Sequence, residues 1–399
     1  MKKIFKNISR VVWILSLVSM FADIASEMLY PIIPVYLQSI GFSIFLIGLL
    51  EGLAEATSGL SKGYFGNWSD RAGKRMPFVR MGYFLSAIAK PMMVVFKLPV
   101  WVFFARTTDR LGKGFRTAPR DAILSDESNL GTKGQVFSFH RGWDTLGAVF
   151  GPAFALLFLH YYPGKLTWLF YIAFVPAIIS VGITYFIKEK SIQPKEQKAA
   201  PGFFSFFKYW KVATPAYKKL IIALLAFALF NSSDMLLLLK VNEATGSETN
   251  VIKVYIFYNL VYALLAFPLG LLADRIGIKK IFLFGLILFS GIYFGMAQEG
   301  NNTLFYVLFG IYGIYMAATE GISKAWVSSL VKKEEVGTAI GLFVALQSIA
   351  LMVASAFAGL LWSFYGSSVT FLLTAIMSII VLLFILIFVH KPQNEVQRQ

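Results

Sequence analysis

The sequence predicts an all-α integral membrane protein of twelve transmembrane helices, arranged as two six-helix bundles related by a pseudo-twofold axis. Three observations predict it. Apolar residues come in long unbroken blocks, lysine and arginine gather in alternate loops, and one half of the chain echoes the other. The 399 residues are 57% hydrophobic and 15% charged, where a soluble protein carries about a quarter charged residues. Blocks such as 281–296 and 369–389 are apolar nearly all round, and a bilayer-crossing helix needs about 20 such residues. A soluble fold would have to hide a dozen of these blocks in one core.

In order, the spans are 11–37, 44–65, 77–96, 99–116, 136–159, 166–187, 219–239, 251–272, 281–298, 303–323, 337–362 and 367–389. The first is too long for a cleaved signal peptide and is expected to be retained. Residues 1–187 form the first bundle, 188–218 a central cytoplasmic linker and 219–399 the second bundle. Lys2, Lys3, Lys6, Arg10, Arg71, Lys74, Arg75, Arg110, Lys113, Arg116, Arg120, Lys133 and the linker lysines fall on one side. So do Arg275, Lys279, Lys280, Lys324, Lys332 and Lys333, whereas the opposite loops hold only Lys97, Lys165, Lys240 and Lys253. Positive residues stay cytoplasmic, so both termini are expected inside, at the cytoplasmic (inner) membrane. Within the linker, Phe203–Lys211 sets aromatics beside lysines, which suits either a short interfacial helix or an irregular apolar linker.

The formal charge of +16 would suggest a nucleic-acid partner in a soluble protein. Here it belongs to orientation-setting loops, and none is expected. The chain has no cysteine, which excludes disulfides, thiol chemistry and iron–sulfur ligation. His140, His160 and His390 are scattered, so neither a metal site nor a cofactor is expected. There is no nucleophile–base arrangement and no phosphate-binding G-x-x-x-x-G-K-[ST] loop, which argues against an enzyme and against direct ATP coupling.

The internal echo is specific. Gly66-Asn-Trp-Ser-Asp70-Arg71-Ala-Gly73-Lys74-Arg75 follows the second span, and Gly270-Leu-Leu-Ala-Asp274-Arg275-Ile-Gly277 follows the eighth. Gly, Asp, Arg and Gly recur at one spacing, Asp70 to Asp274 being 204 residues apart. A weaker echo pairs Ser26-Glu27-Met28-Leu29 with Ser233-Asp234-Met235-Leu236. Many carriers are built from such repeats, with the substrate site near the bilayer midplane.

With these two segments, twelve spans and a long central loop, the chain resembles the major facilitator superfamily over essentially its whole length. The resemblance implies a secondary transporter that works by alternating access on a small-molecule substrate. It implies that Gly66, Asp70, Arg71, Gly73 and Arg75, with Gly270, Asp274, Arg275 and Gly277, form a cytoplasmic latch holding the outward-facing state. The glycines allow tight turns, and an aspartate at a helix end can pair with an arginine or a helix N-terminus. A topology role alone explains the Arg and Lys but not the repeated Gly and Asp. In the fifth span, Gly147-Ala-Val-Phe-Gly151-Pro152 resembles the helix-5 motif of the family's antiporters, which are mostly exporters. The further glycines of that motif are absent, Ala153-Phe154-Ala155 standing there instead. The fourth span departs from the family by placing Asp109 between Arg106 and Gly112. The charged run Arg116-Thr-Ala-Pro119-Arg120-Asp121 that follows is left without an assignment.

A charge in the bilayer core costs about 2.5–3.5 kcal/mol on insertion scales and needs a reason. Asp23 and Glu27 lie four apart in the first span and Glu51 and Glu55 in the second. Lys90, Arg106, Asp109, Arg141, Asp144, Asp234 and Glu320 complete the set. Some, such as Arg141 and Asp144, suit fixed ion pairs. Asp23, Glu27, Glu55, Lys90, Arg106, Asp109, Asp234 and Glu320 are the candidates for a cavity that binds substrate and exchanges protons. Asp23 or Glu27 is the expected proton carrier, with Arg106 as its partner. Mid-membrane acids outnumber bases, which favours a cationic or zwitterionic substrate. The expected function is proton-coupled export of a small amphipathic compound by a monomer in the lipid bilayer. An importer of a metabolite or siderophore-like compound and a lipid flippase are the alternatives.

Overall fold

The structure is a computed structural model that describes residues 8–30, 32–42, 44–188, 201–231, 234–246 and 248–389. Linker residues 189–200, Lys2, Lys3, Lys6, Ser233, His390 and the side chain of Glu51 lie outside the described residues.

All regular structure among the described residues is helical. α1 (Arg10–Leu29) begins after Ser9, whose hydroxyl accepts the Val12 N–H at 3.3 Å and so satisfies a backbone donor that the helix leaves over. α2 (Ile32–Ser39), α3 (Ile44–Ala72), α4 (Met76–Val95), α5 (Pro99–Asp126), α6 (Lys133–Tyr161) and α7 (Leu166–Thr184) follow. A 3-10 turn at Ser205–Lys208 and the short α8 (Tyr209–Val212) lie in the described part of the linker. The second half holds α9 (Pro215–Ala228), α10 (Asp234–Thr245), α11 (Glu248–Ile276), α12 (Ile278–Met296), α13 (Asn302–Ser329), a 3-10 turn at Lys333–Glu335 and α14 (Val336–Phe388).

These elements supply the twelve crossings with local differences from the spans expected. The first span is two helices, α1 and α2, and the sequence places Pro31, which has no N–H for the helical ladder, at their boundary. The seventh is also two, α9 and α10. The run Asn231-Ser-Ser-Asp234 between them is rich in residues that prefer helix caps to helix interiors. The eleventh and twelfth share α14, which turns at Gly366 with φ 81°, a value open to glycine. The fourth was expected to end at residue 116, but α5 runs to Asp126.

Eight helical segments of the described chain are long and apolar enough to cross a bilayer on composition alone, and α3 and α5 are not among them. In α5 the reason is charge turned inward. Arg106, Arg116, Arg120 and Asp121 are all buried.

The described residues fall into two compact units. One comprises those of Met1–Ser128, Trp143–Tyr209 and Lys332–Ala345; the other those of Asn129–Gly142, Trp210–Val331 and Leu346–Gln399. In the first, α5 lies along α3 and α4, and α7 along α1 and α4; in the second, α13 lies along α11 and α12. α4 and α5 meet at Gly82 and Gly112. A β-carbon on either would stand 2.6 Å from the other's carbonyl oxygen, so only bare backbone fits there.

Candidate functional site

In the first unit an open cavity lies among α1, α2, α4 and α5. Asp23, Ser26 and Glu27 line it from α1, Lys90 from α4, and Arg106, Asp109, Arg110, Lys113 and Arg116 from α5. On α5, Arg106 is followed by Asp109 and Arg110, then by Lys113 and Arg116, each three or four residues on, which makes them one stripe of a helix. Five cations therefore share the wall with three carboxylates.

Asp109 is the junction of this wall. Its Oδ1 lies 3.7 Å from Lys90 Nζ and its Oδ2 3.4 Å from the Arg106 guanidinium. Lys90 also donates to Ser26 Oγ at 3.4 Å and to the Ser86 carbonyl at 3.1 Å, so one ammonium ties α1, α4 and α5 together. Arg110 leans out to Glu55 of α3 at 3.8 Å, and half-exposed Glu55 is not part of the wall. Buried Arg116 donates to Ser86 Oγ at 2.6 Å and lies over the Tyr83 ring, 4.6 Å from its centroid.

Beside the cavity lies a second polar knot. Ser19 Oγ donates to Asp144 at 2.6 Å and accepts from Arg120 at 3.0 Å, while Arg120 pairs with its neighbour Asp121 at 2.9 Å. This gives Arg120 and Asp121 of the unassigned charged run a fastening role among α1, α5 and α6.

α6 reaches α1 at the acidic pair itself. A β-carbon at Gly147 would stand 2.6 Å from Asp23 Cβ, and one at Gly151 2.7 Å from the Ile24 carbonyl and from Met28 N. The two glycines thus let α6 lie on the α1 backbone where Asp23 and Glu27 project. Pro152 follows inside the helix.

The repeated aspartates occupy equivalent places. Asp70, at the end of α3, accepts the N–H groups of Gly337 at 3.3 Å and Thr338 at 2.6 Å, in the first turn of α14, and the Thr338 hydroxyl at 2.8 Å. Asp274, at the end of α11, accepts those of Gly134 at 2.8 Å and Gln135 at 2.7 Å, in the first turn of α6. Each carboxylate therefore caps another helix, satisfying free donors and meeting the positive end of the helix dipole. Gly66 crosses Gly337 and Gly270 crosses Gly134 at backbone contact. Gly73 and Gly277 turn the chain with φ of 64° and 110°.

Arg75 joins the first of these caps. It is buried, donates to Asp70 at 3.1 Å and to the Lys333 carbonyl at 2.9 Å, and pairs with Asp126. Arg71 donates to Asn67 at 3.2 Å. The linker is docked here as well. Asn67 donates to Ser205 Oγ at 2.8 Å, and the fully buried Phe206 ring covers Gly63. Burial, and next the Glu335 carboxylate to which it is hydrogen-bonded, push the Tyr209 phenol above its usual value.

In the second unit Asp234, the first residue of α10, accepts hydrogen bonds from Tyr312 at 2.5 Å and Tyr258 at 3.0 Å. Glu320 lies 4.0 Å from Arg141, which donates to the Tyr262 hydroxyl at 2.7 Å.

A family model of the Major Facilitator Superfamily matches residues 15–257 and 220–399. An uncharacterised MFS-type transporter of Methanocaldococcus jannaschii is 34% identical over 382 residues, covering 94% of each chain. The chain belongs to the Major Facilitator Superfamily. An uncharacterised Mycobacterium tuberculosis protein is 24% identical over 84% of this chain and 82% of its own. Among solved superfamily structures, human MFSD10, an organic anion transporter, superposes with a TM-score of 0.81 at 14% identity, covering 94% of this chain and 98% of its own. The Escherichia coli fucose:proton symporter FucP gives 0.73 at 12%, covering 94% and 97%. The chain is thus a multi-pass membrane transporter of this superfamily and not an enzyme.

For this superfamily member the sequence candidates Asp23, Glu27, Lys90, Arg106 and Asp109 come together in one cavity. Glu55 stands outside its wall, and Asp234 and Glu320 belong to the other unit. Arg110, Lys113 and Arg116, counted from the sequence among the cytoplasmic loop charges although they fall within the fourth span, line the cavity from α5. The surplus of acids counted along the sequence becomes a surplus of cations at the wall for that reason. The helix ends that receive the aspartates were also missed. Gly134-x-x-x-Ser138-x-x-x-Gly142 and Gly337-x-x-x-Gly341 are small-residue ridges of the kind that marks close helix crossings, and that spacing was the available signal.

Proposed function

We propose that this chain is a proton-coupled exporter whose binding and coupling chamber is the cavity among α1, α4 and α5. The observation that carries the reading is the meeting of Asp23, Glu27 and Asp109 with Lys90 and Arg106 around one cavity in a membrane-spanning unit. A carboxylate there has two states, ionised against a cation or neutral with a proton, and a substrate that competes for the same cations links its own movement to the proton. Asp23 and Glu27 are the proposed proton carriers, and the glycines of α6 that bear on them support a coupling role for α1. Export is supported by the likeness of Gly147 to Pro152 to the antiporter motif. The caps made by Asp70 and Asp274 are the proposed cytoplasmic latches, with Gly66, Arg71, Gly73, Arg75, Gly270, Arg275 and Gly277 shaping them. The Lys/Arg asymmetry supports cytoplasmic termini.

The test is transport in proteoliposomes of a compound first found by thermal shift at two pH values, with a dye reporting internal pH. Wild type should move protons in the direction opposite to substrate. Asp23→Asn or Glu27→Gln should lose accumulation against a gradient and retain exchange at equal concentrations. Accumulation by both variants at the wild-type rate would move the coupling group to Glu55 or Asp234. Proton and substrate moving the same way would make the protein a symporter.

A further inference from the structure

We propose that the cavity of the first unit grips an oxyanion group of its substrate, a carboxylate or a phosphate, through Arg116, with Lys90, Arg106 and Lys113 beside it. The proposal rests on the cavity being the substrate chamber and adds the chemical class of what enters it. Arg116 is 5% exposed and its one hydrogen bond goes to Ser86, while Asp109 bears on it only through space, with no direct ion pair among the described residues. A buried cation with no anion in contact is costly. The Tyr83 ring beneath the guanidinium offsets part of that cost. It leaves the rest of the planar N–H fork unused, and that fork matches a carboxylate or phosphate through two parallel hydrogen bonds.

Asp109, the acid that bears on Arg116, is in closer contact with other cations. Asp109 has one oxygen toward Lys90 and the other toward Arg106. Glu55 faces Arg110 from outside the wall. Asp23 and Glu27 are contributed by α1, and the wall still holds five cations to three carboxylates. The fold also makes room for this arginine. A β-carbon at Gly82 would stand 2.7 Å from Arg116 Cβ, so glycine there is what lets α5 carry Arg116 in against α4.

The experiment uses the full chain in nanodiscs and three probes, glutarate, inorganic phosphate and cadaverine, the last a dication with the carbon chain of the first. Thermal stabilisation is titrated for wild type, Arg116→Gln and Arg116→Lys. Wild type should be stabilised by at least one anion and not by cadaverine. Affinity for that anion should fall tenfold or more in Arg116→Gln and recover in part in Arg116→Lys. Should Arg116→Gln fail to fold, Lys113→Gln, which alters an exposed side chain, should weaken the anion severalfold. Glutarate binding without phosphate binding identifies a carboxylate site, and the reverse a phosphate site. Stabilisation by cadaverine alone, by no probe, or equally in wild type and Arg116→Gln overturns the proposal. Binding needs no pH gradient, so loss of the proton-coupling reading leaves this result legible, and a proton-driven carrier that binds only cadaverine would sink this proposal alone.

Discussion

Asp70 and Asp274 are the same residue of a repeated segment and cap the same kind of helix end, yet their surroundings differ. Asp70 receives two backbone N–H groups, a threonine hydroxyl and the buried Arg75, which also reaches Lys333 and Asp126. Asp274 receives two backbone N–H groups and, among the described residues, nothing more. The residue 204 positions after Arg75 is Lys279, and it is used elsewhere, donating to the Leu386 and Val389 carbonyls at 3.0 and 2.7 Å. The repeated glycines and aspartates set a common backbone crossing, while the residues around them set how firmly each crossing is held. The first crossing has the more hydrogen bonds.

The largest effect should come from Asp70→Ala. It removes four hydrogen bonds at once and leaves the buried Arg75 short of a partner, a loss of about 3–5 kcal/mol by the usual cost of breaking a buried pair. The chain has no native cysteine, so a single engineered thiol reports cleanly. Ala118→Cys, fully buried beside Gly66, should change from protected to rapidly labelled by a cytoplasmic maleimide when Asp70→Ala is added. Unchanged protection would remove Asp70 from the latch.

Gly337→Ala and Gly134→Ala come next and probe what the two sites share. The added methyl would stand 2.7 Å from Asp70 Oδ1 in one and 2.8 Å from Asp274 Oδ1 in the other. Each should cost about 1–3 kcal/mol, as overpacking does, and the two costs should match. A mild Gly134→Ala beside a severe Gly337→Ala would mean the crossings are not equivalent. Asp274→Asn should cost less, about 1 kcal/mol, as the loss of a helix cap does, because the amide oxygen still accepts one N–H. Labelling of Ala273→Cys, buried at the second crossing, measures it. An effect as large as that of Asp70→Asn would erase the asymmetry.

Much of this was legible in the sequence. Long apolar blocks and a Gly-Asp-Arg-Gly repeat specify spans and the repeated capping carboxylates because both are local patterns. The acidic pair on α1 was found because four-residue spacing fixes a helix face. What escaped was the other half of each contact. Gly134 and Gly337 receive the aspartates through backbone N–H groups, which any residue type carries. Arg110 to Arg116 were misplaced because charge density marks loops in a membrane protein, and only the packing of α5 against α4 and α3 shows a helix turning those charges inward. The breaks of the first and seventh spans were written as Pro31 and Asn231-Ser-Ser-Asp234, but the hydropathy of their flanks hid them.

The smallest expected effect sharpens the comparison most, since the docked linker touches the first latch and has no counterpart described at the second. Phe206 seals Gly63, and Tyr209 is hydrogen-bonded to Glu335, just before the helix that Asp70 caps. Tyr209→Phe keeps the ring and loses that one bond, worth about 1 kcal/mol net. Protection of Ala118→Cys should fall by a factor of roughly 5, that energy being under one tenfold step, while Ala273→Cys stays as protected as before. The sign of the pH dependence follows from the raised phenol. In the folded chain it stays neutral to a higher pH than in the unfolded one, so its contribution is complete below the ordinary tyrosine value of about 10. It is lost as pH rises through the raised value. Wild-type protection at Ala118→Cys should therefore weaken in strong base toward that of Tyr209→Phe, with the two converging. Parallel curves at every pH would show that the linker rests on the latch without holding it.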